Sequence, residues 1–210
     1  MFENDWINKK QIIKDIICKR LNVVEQIYYA RKCKIIKLNS IEERKFFEEN
    51  HIQGYSRGSI VCYGLIDHQN QLVSAMSFCK NRFGGIGQYE LLRFASRLAT
   101  SVVGGASKMF SKFVAEFDPK HIVTYCDATL FNGNLYNQLG FEFEKLTDPN
   151  YLYWSNKDQI ALSRYQCQKH KLIKIIGDQY DPSLTEYQNM TNNHYYRVWN
   201  SGNYKFNWIR

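Results

Sequence analysis

The sequence is poor in proline, with 3 in 210 residues, and has no apolar run approaching the roughly 20 residues a membrane-spanning helix needs. The opening stretch MFENDWINKK lacks the basic-then-apolar order of a secretory leader, so a cytoplasmic location is expected and no membrane partner. There is no internal repeat and no low-complexity tract, which argues against a repeat architecture. The six cysteines are scattered, with no CxxC pair and no Cys/His cluster at zinc spacing. Several stand in apolar runs (IVCYGL, SFCK, TYCDA), so they read as reduced, buried, small apolar residues, and no metal is expected.

What is present suits one soluble domain with appendages: 44% hydrophobic, 23% charged and 15% aromatic residues. The net charge of +8 is unevenly spread. Residues 1–45 hold 11 basic and 6 acidic side chains, residues 46–155 hold 9 and 10, and residues 156–210 hold 8 and 4. A near-neutral centre with basic flanks suits a polyanionic partner, DNA first.

Apolar residues at Trp6, Ile7, Ile12, Ile13, Ile16, Ile17 and Leu21 predict an amphipathic helix. CKIIKLN reads as a strand, and Ser40 with Glu43 as a capping box opening a helix to about Asn50. IVCYGLI and QLVSAMSFCK read as strands joined by the turn DHQN, and YELLRFA as the next strand. The period changes to 3.6 beyond Gly105, with Met109, Phe110, Phe113, Val114 and Phe117 on one face. HIVTYCDA, FEFEKL and PNYLYWS read as further strands, with a short helix in NGNLYNQLGF. In the tail, RYQCQKHKLIKII reads as a basic helix, YDPSLTEYQNM as a loop and HYYRVWNSGNYKFNWIR as a hairpin. The expected class is α/β: a mixed sheet flanked by helices. It divides into a basic helical extension (1–33), a central domain (34–155) and a basic extension with the hairpin (156–210).

In SVVGGASKMF, Ser101 to Phe110, two adjacent glycines open onto the helix. They make either a tight turn or an anion site at a helix N-terminus. Arg93 lies inside the apolar strand YELLRFA, where a guanidinium needs a partner or a polar cavity. Asp127 ends the next strand, so an Arg93–Asp127 pair is expected, either structural or serving to orient an amine. Tyr55, Phe83, Tyr151, Tyr153 and Trp154 are candidates for stacking on a flipped base.

The strand, Gly-rich turn, helix and strand, followed by Asn134-Leu135-Tyr136 and Leu139-Gly140-Phe141, resemble the GNAT superfamily of acyl-CoA-dependent N-acyltransferases over roughly residues 34–155. Gly104 and Ala106 fit that family's turn pattern, and Ser101 departs from its first position. The resemblance implies acetyl-CoA or a related acyl donor held by Ser101, Val102, Val103, Gly104, Gly105, Ala106, Ser107, Lys108 and Asn134. It also implies that Tyr136 protonates the departing thiolate. YELLRFASRL, VVGGASKMF, YCDA and GNLYNQLGF also look like a C-terminal domain of phage homing endonucleases, without the nuclease core, and like the Mom DNA-modification family. This narrower resemblance implies His51, Arg93, Ser107, Asp127 and Tyr136 as catalytic candidates in a phage-encoded enzyme that alters an exocyclic amine of a DNA base. Two alternatives stand beside it. One is a DNA-recognition module without turnover, and the other an acetyltransferase acting on a protein or small molecule.

Overall fold

The computed structural model describes residues 3–82 and 87–210. In chain order the elements are α1 (Glu3–Asn8), α2 (Lys10–Arg20), β1 (Gln26–Tyr29), β2 (Lys34–Lys37), α3 (Ser40–Asn50), β3 (Val61–Ile66), β4 (Leu72–Lys80), β5 (Tyr89–Ser96) and β6 (Thr100–Val103). There follow α4 (Gly105–Phe117), β7 (His121–Asp127), α5 (Asn134–Gln138), β8 (Glu142–Leu146), β9 (Tyr151–Ser155), β10 (Ile160–Ser163), α6 (Ile173–Ile176), α7 (Glu186–Asn192), β11 (Tyr196–Trp199) and β12 (Asn203–Ile209). Two compact units divide the chain. The larger holds residues 9–126, 132–145 and 204–210, and the smaller holds residues 3–8, 127–131 and 146–203.

The larger unit is built on a seven-stranded sheet in the order β2-β3-β4-β5-β7-β12-β8. Strands β2 to β5 are antiparallel, and β5 pairs parallel with β7. The mixed α/β class expected from the sequence is what this unit has. β3 and β4 are apolar on both sides because each face of the sheet carries a helix. On one face α4 lays down Met109, Phe110 and Phe113 against Tyr63, Val73, Met76, Phe78 and Leu91. The Phe113 ring stacks on Phe78 with centroids 3.8 Å apart and on Phe117 at 4.8 Å. On the other face α3 packs Phe46 and Phe47 over Cys62, Ala75 and Ala95. A separate parallel pair joins β1 to β6, with Tyr29 opposite Val103.

Local signals set the boundaries. The β3–β4 turn is closed by Asp67, whose carboxylate accepts the Gln69 and Gln71 amides at 2.8 and 2.9 Å. Helix α3 is capped one residue earlier than expected. Asn39 accepts the Ile41 and Glu42 amides, and Glu42 reaches back to Asn39. Glu43 is instead buried at 2% exposure and accepts the Ser59 hydroxyl at 2.6 Å. The helix expected over residues 6–21 is broken at Lys9, whose ammonium donates to the Ile52 carbonyl at 2.6 Å.

The smaller unit carries a three-stranded antiparallel sheet, β10-β9-β11, over a core of Tyr153, Cys167, Leu172, Met190 and Tyr195. Three expectations for the tail are corrected here. The basic run ending KLIKII holds a four-residue helix between 3-10 turns, because Gly177 adopts a positive φ of 55°. The segment read as a loop contains α7, capped by Thr185 and Gln188. The terminal strands form no hairpin: β11 pairs with β9, while β12 lies between β7 and β8. Of the six free cysteines, Cys18 is exposed and the other five are buried.

Phe113 is fully buried at the centre of the aromatic stack. Phe113→Ala removes a ring from a close-packed wall and is expected to lower unfolding stability by about 3–5 kcal/mol in urea titration.

Candidate functional site

The β4–β5 ladder sets Ser77 opposite Arg93 and Phe78 opposite Leu91, so Leu92 is an extra residue that bulges β5. A bulge bends its strand and interrupts pairing. The parallel ladder between β5 and β7 accordingly covers Tyr89–Ile122, Glu90–Val123 and Leu91–Thr124. It stops there, although β5 runs on to Ser96. The carboxyl ends of parallel strands that separate are where α/β sheets place ligands.

Arg93, His51, Tyr136 and Thr124 gather at this point. Arg93 comes from β5 just beyond the bulge, and Nε donates to the Gly54 carbonyl at 3.1 Å and Nη1 to the Leu92 carbonyl at 2.8 Å. Its burial depresses its own pKa. His51 closes α3, its amide donating to the Phe47 carbonyl at 2.9 Å. Burial first, then the charges of Arg93 and Lys9, pull the imidazole pKa down from 6.5 to about 3. His51 is therefore neutral at pH 7. Its Nδ1 accepts the Gln53 amide at 3.1 Å, so the ring proton is assigned to Nε2. His51 therefore presents a hydrogen-bond donor here.

Tyr136 reaches the same place from α5. That helix starts at Gly133, held at φ 77°. A Cβ there would come within 2.4 Å of the Phe206 ring, so glycine is required. The Tyr136 ring lies 5.3 Å from Phe206 and 5.9 Å from Phe141. Burial pushes its phenol up to about 12, opposed by Thr124 and by Arg93, and so keeps it protonated. The Thr124 hydroxyl is fully buried and donates to the Leu91 carbonyl at 3.0 Å, next to the last rung of the parallel ladder. Of two carboxylates of this unit, Glu90 is fully engaged, whereas buried Glu43 uses one oxygen and leaves Oε1 without a hydrogen bond among the described residues. Glu90 holds Arg82 through contacts of 3.1 and 2.7 Å, and Glu43 holds Ser59.

The glycine turn lies at the start of α4. Gly104 takes φ 74° and caps the helix, and the first helical bond runs from the Lys108 amide to the Gly104 carbonyl at 3.0 Å. The amides of Gly105, Ala106 and Ser107 belong to the first turn, whose N–H groups have no intrahelical acceptor, and no acid stands among them. Val103, Gly104 and Ser107 are exposed, Ser101 is half-buried opposite Ile27, and Val102 is packed into the core. Lys108 spends its ammonium on the Ala30 and Cys33 carbonyls at 2.9 and 2.6 Å. Asn134 is exposed, its amide bonded to Asn132 Oδ1 at 3.2 Å.

Asp127 belongs to the smaller unit, where its carboxylate accepts the Thr129 amide at 2.8 Å. The expected Arg93–Asp127 pair is thus replaced: the guanidinium takes backbone carbonyls and the carboxylate takes a backbone amide. Of the stacking candidates, Tyr153 and Trp154 are buried, Tyr151 is half-buried, Tyr55 has the Arg44 guanidinium 5.2 Å from its ring centroid, and Phe83 lies outside the described residues. Thr124 and Leu92 went unread in the sequence. A bulge leaves no periodic trace, and a threonine in a β-rich run looks like any strand residue.

No protein-family model matches the sequence, and no curated protein matches it. Among solved structures the chain is similar to a Bacillus subtilis acetyltransferase in complex with CoA, at 12% identity and a TM-score of 0.48, covering 85% of this chain and 99% of that one. It is also similar to a GNAT family acetyltransferase from Elizabethkingia anophelis with acetyl-CoA bound, at 11% identity and TM-score 0.45, covering 85% and 99%. A third is a spermidine/spermine N-acetyltransferase from Vibrio cholerae, at 9% identity and TM-score 0.46, covering 86% and 94%. Among the described residues no helix is long and apolar enough to cross a membrane.

The depressed histidine has a consequence for acid stability. Unfolded His51 binds a proton below about pH 6.5, whereas the folded residue does so only near pH 3. Its contribution is complete above pH 6.5 and is lost as pH falls toward 3. Chemical unfolding at pH 7 and pH 4 should show a smaller drop for His51→Gln than for the wild type.

Proposed function

We propose that the chain is an acyl-CoA-dependent N-acyltransferase whose acceptor is an exocyclic amine of a DNA base. The observation that carries the transferase reading is the phenol of Tyr136, kept protonated and grouped with Arg93 and neutral His51 where the β5–β7 ladder ends. Coenzyme A, when bound, supplies an acyl group activated as a thioester. The residues present fit it: the first-turn amides at Gly105 to Ser107, which have no intrahelical acceptor, suit its phosphates. The Tyr136 phenol holds a proton that a departing sulfur requires.

The acceptor reading rests on the charge state of the amine. An alkylammonium acceptor must lose a proton before it can attack. Glu90 is committed to Arg82 and the His51 Nδ1 is tied to the Gln53 amide, while Glu43 accepts Ser59 at one oxygen and makes no hydrogen bond among the described residues at the other. An exocyclic nucleobase amine is uncharged at pH 7 and needs no base before attack. As the acceptor nitrogen bonds to the acyl carbon and the carbon–sulfur bond breaks, the nitrogen sheds one proton to water, the sulfur gains one from Tyr136, and the phenolate is reprotonated from water. Arg93 and the His51 Nε2–H can then hold the carbonyl oxygen as charge develops on it. The basic excess of residues 1–45 and 156–210 supports DNA as the carrier of that amine, as does the resemblance to the Mom family.

Nucleosides from DNA of cells expressing the protein should contain an acyl-shifted base by mass spectrometry, absent with Tyr136→Phe. Unmodified DNA together with acylated polyamine or peptide would overturn the DNA acceptor. DNA that is bound but unmodified, with no transfer to any amine, would overturn the enzyme. With purified protein, Tyr136→Phe should lower kcat about 10²-fold. The dissociation constant for the acyl donor should stay unchanged.

A further inference from the structure

Beside the α4 turn lies an open cavity of about 560 Å³, lined by Tyr29, Ala30, Arg31, Val103, Gly104 and Lys108. It is made by the parallel β1–β6 pair, which sets Tyr29 directly opposite Val103. Both side chains stay in solvent, Tyr29 at 46% and Val103 at 52% exposure, so two large apolar groups stand uncovered next to each other. The wall is fixed from below. Lys108 on α4 ties down the turn after β1 through the Ala30 and Cys33 carbonyls. That leaves Arg31 as the cation turned to the cavity. Its guanidinium lies 5.5 Å from the centroid of the Tyr29 ring, and none of the ion pairs among the described residues includes it.

An exposed aromatic ring, an apolar floor and an unpaired guanidinium fit a flat heterocycle that carries a phosphate. We propose that Tyr29 and Arg31 form the subsite for the phosphorylated adenosine end of coenzyme A, with Arg31 reading the 3′-phosphate. The inference rests on the acyl-CoA reading above and adds to it residues that lie in the basic N-terminal segment, apart from the glycine turn. It explains why β1 is paired to β6 at all: the pairing carries Tyr29 and Arg31 to the side of the cavity. An arginine suits the role because its planar fork meets phosphate in two places while one face rests on the ring.

The experiment measures binding of coenzyme A and of 3′-dephospho-coenzyme A to the full chain by calorimetry. Wild type should prefer coenzyme A by about tenfold, the worth of one charge-assisted hydrogen bond. Arg31→Gln should bring the two ligands to equal affinity while leaving 3′-dephospho-coenzyme A unaffected, and Arg31→Lys should restore part of the preference. Tyr29→Ala should weaken both ligands alike. Arg31 is exposed, so its substitution leaves the core intact. A preference that survives Arg31→Gln, or a wild type that binds both ligands equally, overturns the subsite and leaves the acyl-CoA reading standing. A wild type that binds neither overturns that reading and the subsite with it. If Arg31→Gln weakens a duplex oligonucleotide and leaves coenzyme A alone, the phosphate belongs to DNA and the subsite assignment is wrong.

Discussion

The geometry of the larger unit turns on the shortness of one parallel ladder. β5 and β7 share three rungs, and the bulge at Leu92 ends their pairing at Leu91 and Thr124. Strands buried on both faces normally continue to pair, because unpaired amides and carbonyls are costly away from water. Here the freed groups are taken up locally. The Leu92 carbonyl accepts Arg93, and the Leu91 carbonyl accepts Thr124 in addition to its ladder role. The opposite face can tolerate this interruption because α4 clamps it with a continuous aromatic wall, Phe110, Phe113 and Phe117 against Phe78 and Tyr89. The packed face behind and the opened ladder in front leave the carboxyl ends of β5 and β7 apart.

Arg93 then sets the electrostatics. A buried guanidinium that bonds to carbonyls, rather than to a carboxylate, keeps its full positive field. That field, added to burial, keeps His51 neutral, and at Tyr136 it partly offsets the rise that burial causes. Had Asp127 paired with Arg93 as the sequence suggested, the field would have been cancelled: His51 would titrate nearer its ordinary value, and the Tyr136 phenol would be pushed higher still. The two carbonyl contacts, to Gly54 and Leu92, thus matter as much to the site as the charge itself.

Much of this was legible in the chain. The 3.6 period beyond Gly105 marked α4, the apolar runs marked β3, β4 and β7, and Gly104 stood where a left-handed turn is needed. What escaped depends on long-range partners. Asn39-x-x-Glu42 and Ser40-x-x-Glu43 both satisfy the capping pattern, and only the burial of Glu43 beside Ser59 decides between them. The alternating residues near the C-terminus identified two strands but not their partners, since alternation fixes a face and not a neighbour. The pairing of β1 with β6 joins segments more than 70 positions apart and has no local signature.

The glycine turn illustrates how a motif changes meaning once its neighbours are known. By itself it offers three amides and a positive helix end. Lys108 looks like the natural cation to add, yet its ammonium is consumed in holding Ala30 and Cys33. An ammonium with two carbonyl acceptors has only one donor left, and its geometry is fixed by the turn it holds. Its structural use is to bring β1 to the helix, and β1 brings Arg31. The charge that faces the cavity therefore comes from a segment that sequence reading had set apart as an appendage. The open side of the turn is thus lined by residues from outside the central motif, and the same segment supports the turn itself through the β1–β6 pairing and the Lys108 contacts.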